Sequence, residues 1–334
     1  MKLVTYQCGG SAARAGAVIH DGTDIVDLAA ASAGRGWDQA PYASVLAMIE
    51  SGDAALAQAY DLLTAPPGEV VVAVADCVLH APLQPPVQMR DCLCFEGHLK
   101  QSYRNMREMR AQRSPDPAAA MAEMERDGIL TIPKVFYEQP IYYKANRFAV
   151  IGTGHDVIWP SYSEVMDFEL EFGLYIGKRA CDVAAEGARS YIYGYTIFND
   201  MSARDAQWAE MGGQLGPAKG KDFDTSNPMG PWLVTADELT DPYNLTMIAR
   251  VNGEEWTRGK TSTMHWKFED LIAHISRSET LYPGEFLGSG TIEGGCGIEH
   301  MRFLQPGDVV ELEVEGLGVL RNRLVRPDHP GGRV

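Results

Sequence analysis

Polar and apolar positions alternate strictly through Met166–Gly177: Asp167, Glu169 and Glu171 fall on one side, and Phe168, Leu170, Phe172, Leu174 and Ile176 on the other. This period of two predicts a β-strand. Carboxylates ~7 Å apart along one strand face repel one another, and their pKa values rise unless solvent or a cation relieves them. The acid face is therefore expected to be either wet or metallated.

The same reading extends along the chain. Lys2–Cys8, Ala15–His20 and Asp24–Asp27 are expected as strands and Tyr42–Ser51 and Ala54–Thr64 as helices, making a small structural unit that ends in a proline-stiffened linker at Ala81–Pro86. An extended segment, Met89–His98, gathers Asp91, Glu96 and His98 at a glycine turn. Residues 99–126 read as helix broken near Ser114–Pro117, with Lys100, Arg104 and Arg107 as a basic stripe. The stripe suits a mobile lid carrying cations over an anionic substrate, although a solvated helix face has the same pattern. Ile132–Tyr143 reads as β-rich, and Ser190–Asp200 as a strand ending at a corner where a capping box, Ser202 with Asp205, is expected to start a helix. A glycine-rich loop holds Lys219 and Lys221. Later come strand pairs around Asn252-Gly253 and around Glu311, Glu313 and Glu315, the last read as a solvated acidic face.

Composition narrows the function classes. The chain has 334 residues and a formal net charge of −16, so neither nucleic acid nor an anionic membrane is an expected partner. An anionic substrate would need a bound divalent ion or a local Lys/Arg cluster. Six cysteines lack CxxC spacing, which predicts reduced thiols and no zinc site or disulfide framework. No segment reads as a leader or a membrane span, so a cytoplasmic location is expected.

Asp91 and Asp200 at strand ends, together with the acidic strand and the lack of soft ligands, describe an all-oxygen site for a hard ion: Mg2+ first, alternatively Mn2+ or Ca2+. Glu169 and Glu171 have stems long enough to converge on one ion, leaving Asp167 outside.

Several motifs occur in order: Asp167–Lys178, Gly194–Gln207, Gly220–Thr225 with Gly230-Pro-Trp232, Val251-Asn-Gly253 and Gly290-Thr291. Together they resemble the fumarylacetoacetate hydrolase family. The resemblance implies a mixed α+β, β-rich fold, a β-sandwich roll with a barrel-like core, here with a small N-terminal α/β domain (1–82) ahead of a metal-binding catalytic domain (83–334), and usually a homodimer. It implies a metal held by Asp91, Glu169, Glu171 and Asp200, with His98 as general base, Lys221 and Gln207 meeting the substrate, and Thr291 binding its carboxylate. Arg107 of the basic stripe joins the substrate-binding set. The implied activity is metal-dependent hydrolysis of a C–C bond in an acylpyruvate-like or β-diketone substrate. The family's enolate chemistry also covers decarboxylation, isomerisation and dehydration of 2-oxo or sugar acids, and a non-catalytic small-molecule binder is the alternative of another class. Two tyrosines of the tyrosine-degrading members fall here at Leu93 and Met211, which counts against fumarylacetoacetate itself. Gln101 stands where smaller members place an acid, leaving Glu96, Glu138 and Glu299 as candidates to orient His98.

Overall fold

The computed structural model describes residues 1–327, so residues 328–334 of the expected catalytic domain lie outside the described chain. An antiparallel meander opens it, β1 (Lys2–Cys8), β2 (Arg14–Ile19) and β3 (Asp24–Asp27), followed by α1 (Leu28–Gly34), α2 (Val45–Leu63), β4 (Val71–Ala73) and β5 (Cys77–His80). Asp27 and Ser44 cap the two helices by accepting from Ala30 N and Ala47 N, satisfying amides that the helix itself cannot. The two helices expected at Tyr42–Ser51 and Ala54–Thr64 are present end to end within α2, separated by a non-helical kink at Gly52, whose φ of 70° only glycine adopts cheaply.

Next come β6 (Met89–Cys92), α3 (Glu96–Ala111), α4 (Pro117–Arg126), α5 (Val135–Glu138), β7 (Tyr142–Lys144), β8 (Val150–Ile151) and β9 (Asp156–Ile158). The β-rich reading of Ile132–Tyr143 fails over most of its length. Phe136 N and Tyr137 N bond to the carbonyls of Pro133 and Lys134, and a proline-started turn overrides the side chains' strand propensity.

The acidic alternation splits into β10 (Met166–Asp167) and β11 (Leu170–Ile176). After α6 (Ala185–Ala188) come β12 (Ile192–Asn199), β13 (Ser202–Ala203), α7 (Arg204–Met211), α8 (Ala218–Lys221) and β14 (Asn227–Thr235). Ser202 does not cap α7. It pairs with Asp167 in the β10–β13 ribbon, and Asp205 instead accepts from Ser163 Oγ and Glu164 N. The chain closes with β15 (Thr246–Val251), β16 (Glu254–Lys260), α9 (Phe268–Ile275), β17 (Phe286–Gly288), α10 (Gly297–His300), β18 (Val309–Val314) and β19 (Gly318–Val325).

The large sheet runs β4-β3-β2-β1-β14-β12-β11-β17-β6-β7, with β5 against β1 and β8 against β14; a five-stranded sheet runs β16-β15-β18-β19-β9. The large sheet ends at β4 and β7, so the barrel-like core implied by the resemblance is an open sheet and not a closed barrel. Strands from both sides of residue 82 share it, and Ala81, Pro82, Leu83 and Pro86 of the expected linker are buried.

One core lies between the two sheets, where Phe172, Leu174 and Ile176 meet Met247, Val310 and Leu312; a second lies between the large sheet and α1–α2, where Tyr175 meets Phe198 and Phe286. Both faces of β11 are covered, which removes water from its acids.

Cys8 and Cys77 face each other across β1 and β5 and form a disulfide with their Cα atoms 4.4 Å apart. This corrects the expectation of six reduced thiols. A long-range antiparallel register that no Cys spacing announces makes the pair, and thiol usage no longer argues for a cytoplasmic location.

Candidate metal centre and the His98–Glu299 pair

Strand ends of the large sheet converge on one spot. Asp91, next to last in β6, pairs with Gly288 of β17, where a Cβ would stand 2.5 Å from Asp91 Oδ1, so only glycine leaves room for that carboxylate. Glu171 lies on β11 next to β12, and Asp200 follows β12. Asp91, Glu171 and Asp200 each offer a carboxylate oxygen within 4.8 Å of the others. Three of their oxygens, Asp91 Oδ1, Glu171 Oε2 and Asp200 Oδ1, are buried without a partner.

Their electrostatics express that crowding. Burial and then the charge of Asp200 push Asp91 up to about 7. Burial, opposed by Lys221 and reinforced by Glu169, takes Asp200 up to about 6. Glu171 is lifted well above the carboxylate range by burial, Asp91 and Asp200. Buried acids so disposed need a cation, and an all-oxygen donor set with orphaned lone pairs fits a hard divalent ion.

Glu169 behaves differently. Burial would raise its pKa, but Lys221, Arg204 and His98 outweigh it and hold the carboxyl below its ordinary value. Lys221 Nζ lies 2.6 Å from Glu169 Oε2 and 2.6 Å from Asp200 Oδ2, while Arg204 Nη2 lies 2.8 Å from Glu169 Oε1. The second cation explains why Glu169 is depressed although Asp200, which shares Lys221, is raised. Three of the four expected ligands therefore come together, and the fourth is linked to them through Lys221.

His98 is in the first turn of α3, with Nδ1 3.1 Å from Glu299 Oε2 and 3.5 Å from Ser102 Oγ. Burial disfavours the imidazolium, but the charge and hydrogen bond of Glu299 win and raise the pKa above its ordinary 6.5. Of the three acids considered as its orienter, Glu299 makes the contact. Glu96 pairs with Lys100 and Glu138 with Lys134. Gln101 donates its amide at 3.2 Å, and Asn105 at 2.8 Å, to the Glu299 carbonyl, so the helix that carries the histidine also grips its partner's turn.

The remaining expected residues have structural partners. Thr291 Oγ1 donates to Glu171 Oε1 at 3.2 Å, and Gln207 Oε1 accepts from Arg204 Nη1 at 3.0 Å. Arg107 donates to the Leu130 carbonyl at 2.6 Å, tying α3 to the segment before α5. Lys100 and Arg104 pair with Glu96 and Glu108 on their own helix. Two site residues escaped the sequence reading. Tyr143 donates its hydroxyl to Asp200 Oδ2 at 2.7 Å, and Arg204 links Asp167, Glu169 and Gln207. Arg204 had a signal in its helical spacing from Gln207; Tyr143 had none beyond a strand-prone run.

Residues 106–325 match the family described as fumarylacetoacetate (FAA) hydrolase, C-terminal. The chain belongs to this family. Human oxaloacetate tautomerase FAHD2A, mitochondrial, is 40% identical over 189 residues, 56% of this chain and 60% of that protein. The match thus spans about three-fifths of that relative's length. A putative HpcE protein from Mycobacterium smegmatis superposes with a TM-score of 0.75 at 26% identity, covering 98% of this chain and all (100%) of the other. Maleylpyruvate hydrolase from Sphingobium sp. SYK-6, in complex with manganese (II) ion and pyruvate, shares the fold with a TM-score of 0.70 at 22% identity, covering 98% of this chain and 100% of its own. Among the described residues no helix is long and apolar enough to cross a membrane.

Proposed function

We propose that this family member transfers a proton at the carbon beside the ketone of a small 2-oxo dicarboxylate, interconverting keto and enol forms, with oxaloacetate as the first substrate to try. The observation that carries the reading is the His98–Glu299 pair, which shares the charge of Glu169 with three carboxylates that each keep an unpartnered buried oxygen. A base and an all-oxygen ion site together are what enolisation of a 2-oxo acid requires. The 40% identity to an oxaloacetate tautomerase supports the choice of substrate.

Asp91, Glu171 and Asp200, with Glu169 as fourth acid, would hold Mg2+ or Mn2+, which when bound polarises the ketone and carboxylate oxygens beside it. His98 takes the proton from carbon and returns one at oxygen, so the C–H bond broken is balanced by the O–H bond formed. Glu299 raises the His98 pKa against burial and so favours the imidazolium over what an unpaired ring would show, which suits traffic in both directions. Glu299 fixes the ring and stabilises its charged form. Lys221 supplies a fixed positive charge for the developing enolate, and Gln207, Thr291 and Arg107 meet the polar ends of the substrate. The assembly we assign to it is the homodimer that the resemblance implies.

The test follows the decay of the oxaloacetate enol absorbance with Mg2+-loaded protein against Mg2+ alone, together with deuterium entry at C3 in D2O. Acceleration lost in His98→Asn supports the reading; no acceleration over Mg2+ alone sinks it. The second reading, hydrolysis of a C–C bond in an acylpyruvate, is favoured by the same Glu299-oriented ring, which is equally placed to activate water. Oxygen-18 from solvent appearing in a carboxylate product distinguishes it from tautomerisation.

A further inference from the structure

Cys296 precedes the turn that carries Glu299 and closes a triangle with the dyad. Its Sγ lies 3.3 Å from Glu299 Oε2 and 4.0 Å from His98 Nδ1, while Nδ1 and Oε2 are 3.1 Å apart. All three residues are buried. Glu299 Oε1 is fixed by Gly294 N at 2.9 Å, so Oε2 is the oxygen left facing the other two groups. The Glu299 backbone is held in turn by Gln101 and Asn105.

We infer that His98 Nδ1, Cys296 Sγ and Glu299 Oε2 form a second metal site, selective for a soft or borderline divalent ion of the zinc class, and that filling it switches the enzyme off. Tetrahedral bonds of about 2.0–2.3 Å to nitrogen, oxygen and thiolate sulfur place ligand atoms roughly 3.3–3.6 Å apart. The three measured edges, 3.1, 3.3 and 4.0 Å, bracket that range, so an ion binds with side-chain shifts of a few tenths of an ångström. The donor sets divide the cations. Asp91, Glu171 and Asp200 offer only oxygen, for Mg2+ or Mn2+, whereas nitrogen, sulfur and one oxygen favour Zn2+ or Co2+. Coordination uses the thiolate, whose proton leaves to solvent, and the Nδ1 lone pair, which is exposed when the proton Nδ1 donates to Glu299 Oε2 shifts to Nε2; the Glu299 oxygen is released to the ion at the same time. The dyad cannot then cycle a proton. Binding is independent of the proposed reaction; only the inhibition rests on His98 being its base.

The test loads the intact protein with Mg2+ and adds one equivalent of Co2+. A thiolate-to-cobalt charge-transfer band should appear, survive in Cys181→Ser, vanish in Cys296→Ser and be displaced by Zn2+. Anomalous scattering at the zinc edge from crystals of the unmodified chain should place the ion between Nδ1, Sγ and Oε2, which keeps the test independent of whether a variant folds. In the activity arm, equimolar Zn2+ should cut turnover at least tenfold, reversibly by chelator, and the inhibition constant should weaken at least tenfold in Cys296→Ser. A bound ion with no thiolate band, or zinc density only at Asp91, Glu171 and Asp200, overturns the site. Zinc density at the triangle with unimpaired turnover keeps the site and overturns the role of His98.

Discussion

Arg204 grips Asp167 from two directions, Nε at 2.8 Å and Nη2 at 2.7 Å from the same Oδ2, and the same Nη2 reaches Glu169 Oε1 at 2.8 Å. Asp167 in turn accepts from Gly297 N at 2.6 Å and Ile298 N at 3.2 Å, at the start of the turn that presents Glu299. One buried ion pair thus ties the acidic strand to the partner of His98. Asp167→Asn keeps an accepting oxygen but leaves Arg204 short of a charge. Breaking one side of a buried pair costs about 3–5 kcal/mol. We expect a lowered unfolding midpoint in urea together with reduced turnover; an unchanged midpoint would show that Glu169 alone satisfies Arg204.

Removing His98 as a base, by His98→Asn, should lower kcat about 10²–10⁴-fold while leaving Mg2+ binding measurable by calorimetry. Loss of metal affinity on the same scale would instead make His98 a support for the carboxylates.

Glu299 is what raises the His98 pKa against burial. With the neutral ring as the proposed base, activity should climb as pH rises through the His98 pKa. Glu299→Gln removes the stabilising charge, and that limb should move to lower pH with a smaller plateau. A limb that stays put would mean it belongs to another group.

Asp91 and Asp200, at about 7 and about 6 in the folded chain against an ordinary 3.8, hold protons when folded that they release when unfolded. The stability they contribute is therefore present below their ordinary value and is lost as pH rises through their folded values. Metal-free protein should lose stability between about pH 4 and pH 7, whereas the stabilisation by Mg2+ should grow across the same window, as protons stop competing for the carboxylates. Thermal unfolding with EDTA and with Mg2+ at stepped pH reads both slopes, and parallel curves would count against the ion site.

Lys221 Nζ occupies oxygens of Glu169 and Asp200, two of the expected ligands. Lys221→Met should therefore bind Mg2+ at least as tightly as the parent while turnover falls, a split that calorimetry beside kinetics detects. Weakened binding would show that Lys221 organises the acids more than it competes for them.

Much of this was legible in the chain. Alternation marked β11, and acids at the ends of extended runs marked Asp91 and Asp200, because period and turn chemistry are local properties. The split of the acidic strand was not legible: Asp167 diverges into a two-residue ribbon with Ser202, a pairing set by residues more than thirty positions away. The same holds for the Cys8–Cys77 register and for Glu299 as partner of His98, 201 positions apart. Arg204 shows the intermediate case, with a helical spacing that was readable and a buried partner, Asp167, that became visible only once the strands were folded together.

The pairing of β1 with β14, Lys2 opposite Val234 and Leu3 opposite Leu233, bears on how the protein can be handled. Cutting the chain at residue 83 to isolate the metal-binding part would bare the backbone edge of a strand that runs next to β12, whose end carries Asp200. An uncovered edge recruits other chains. The shortened product is expected to clump or lose its ion-binding corner, and trimmed versions are poor substitutes for the intact chain in assays of the chemistry.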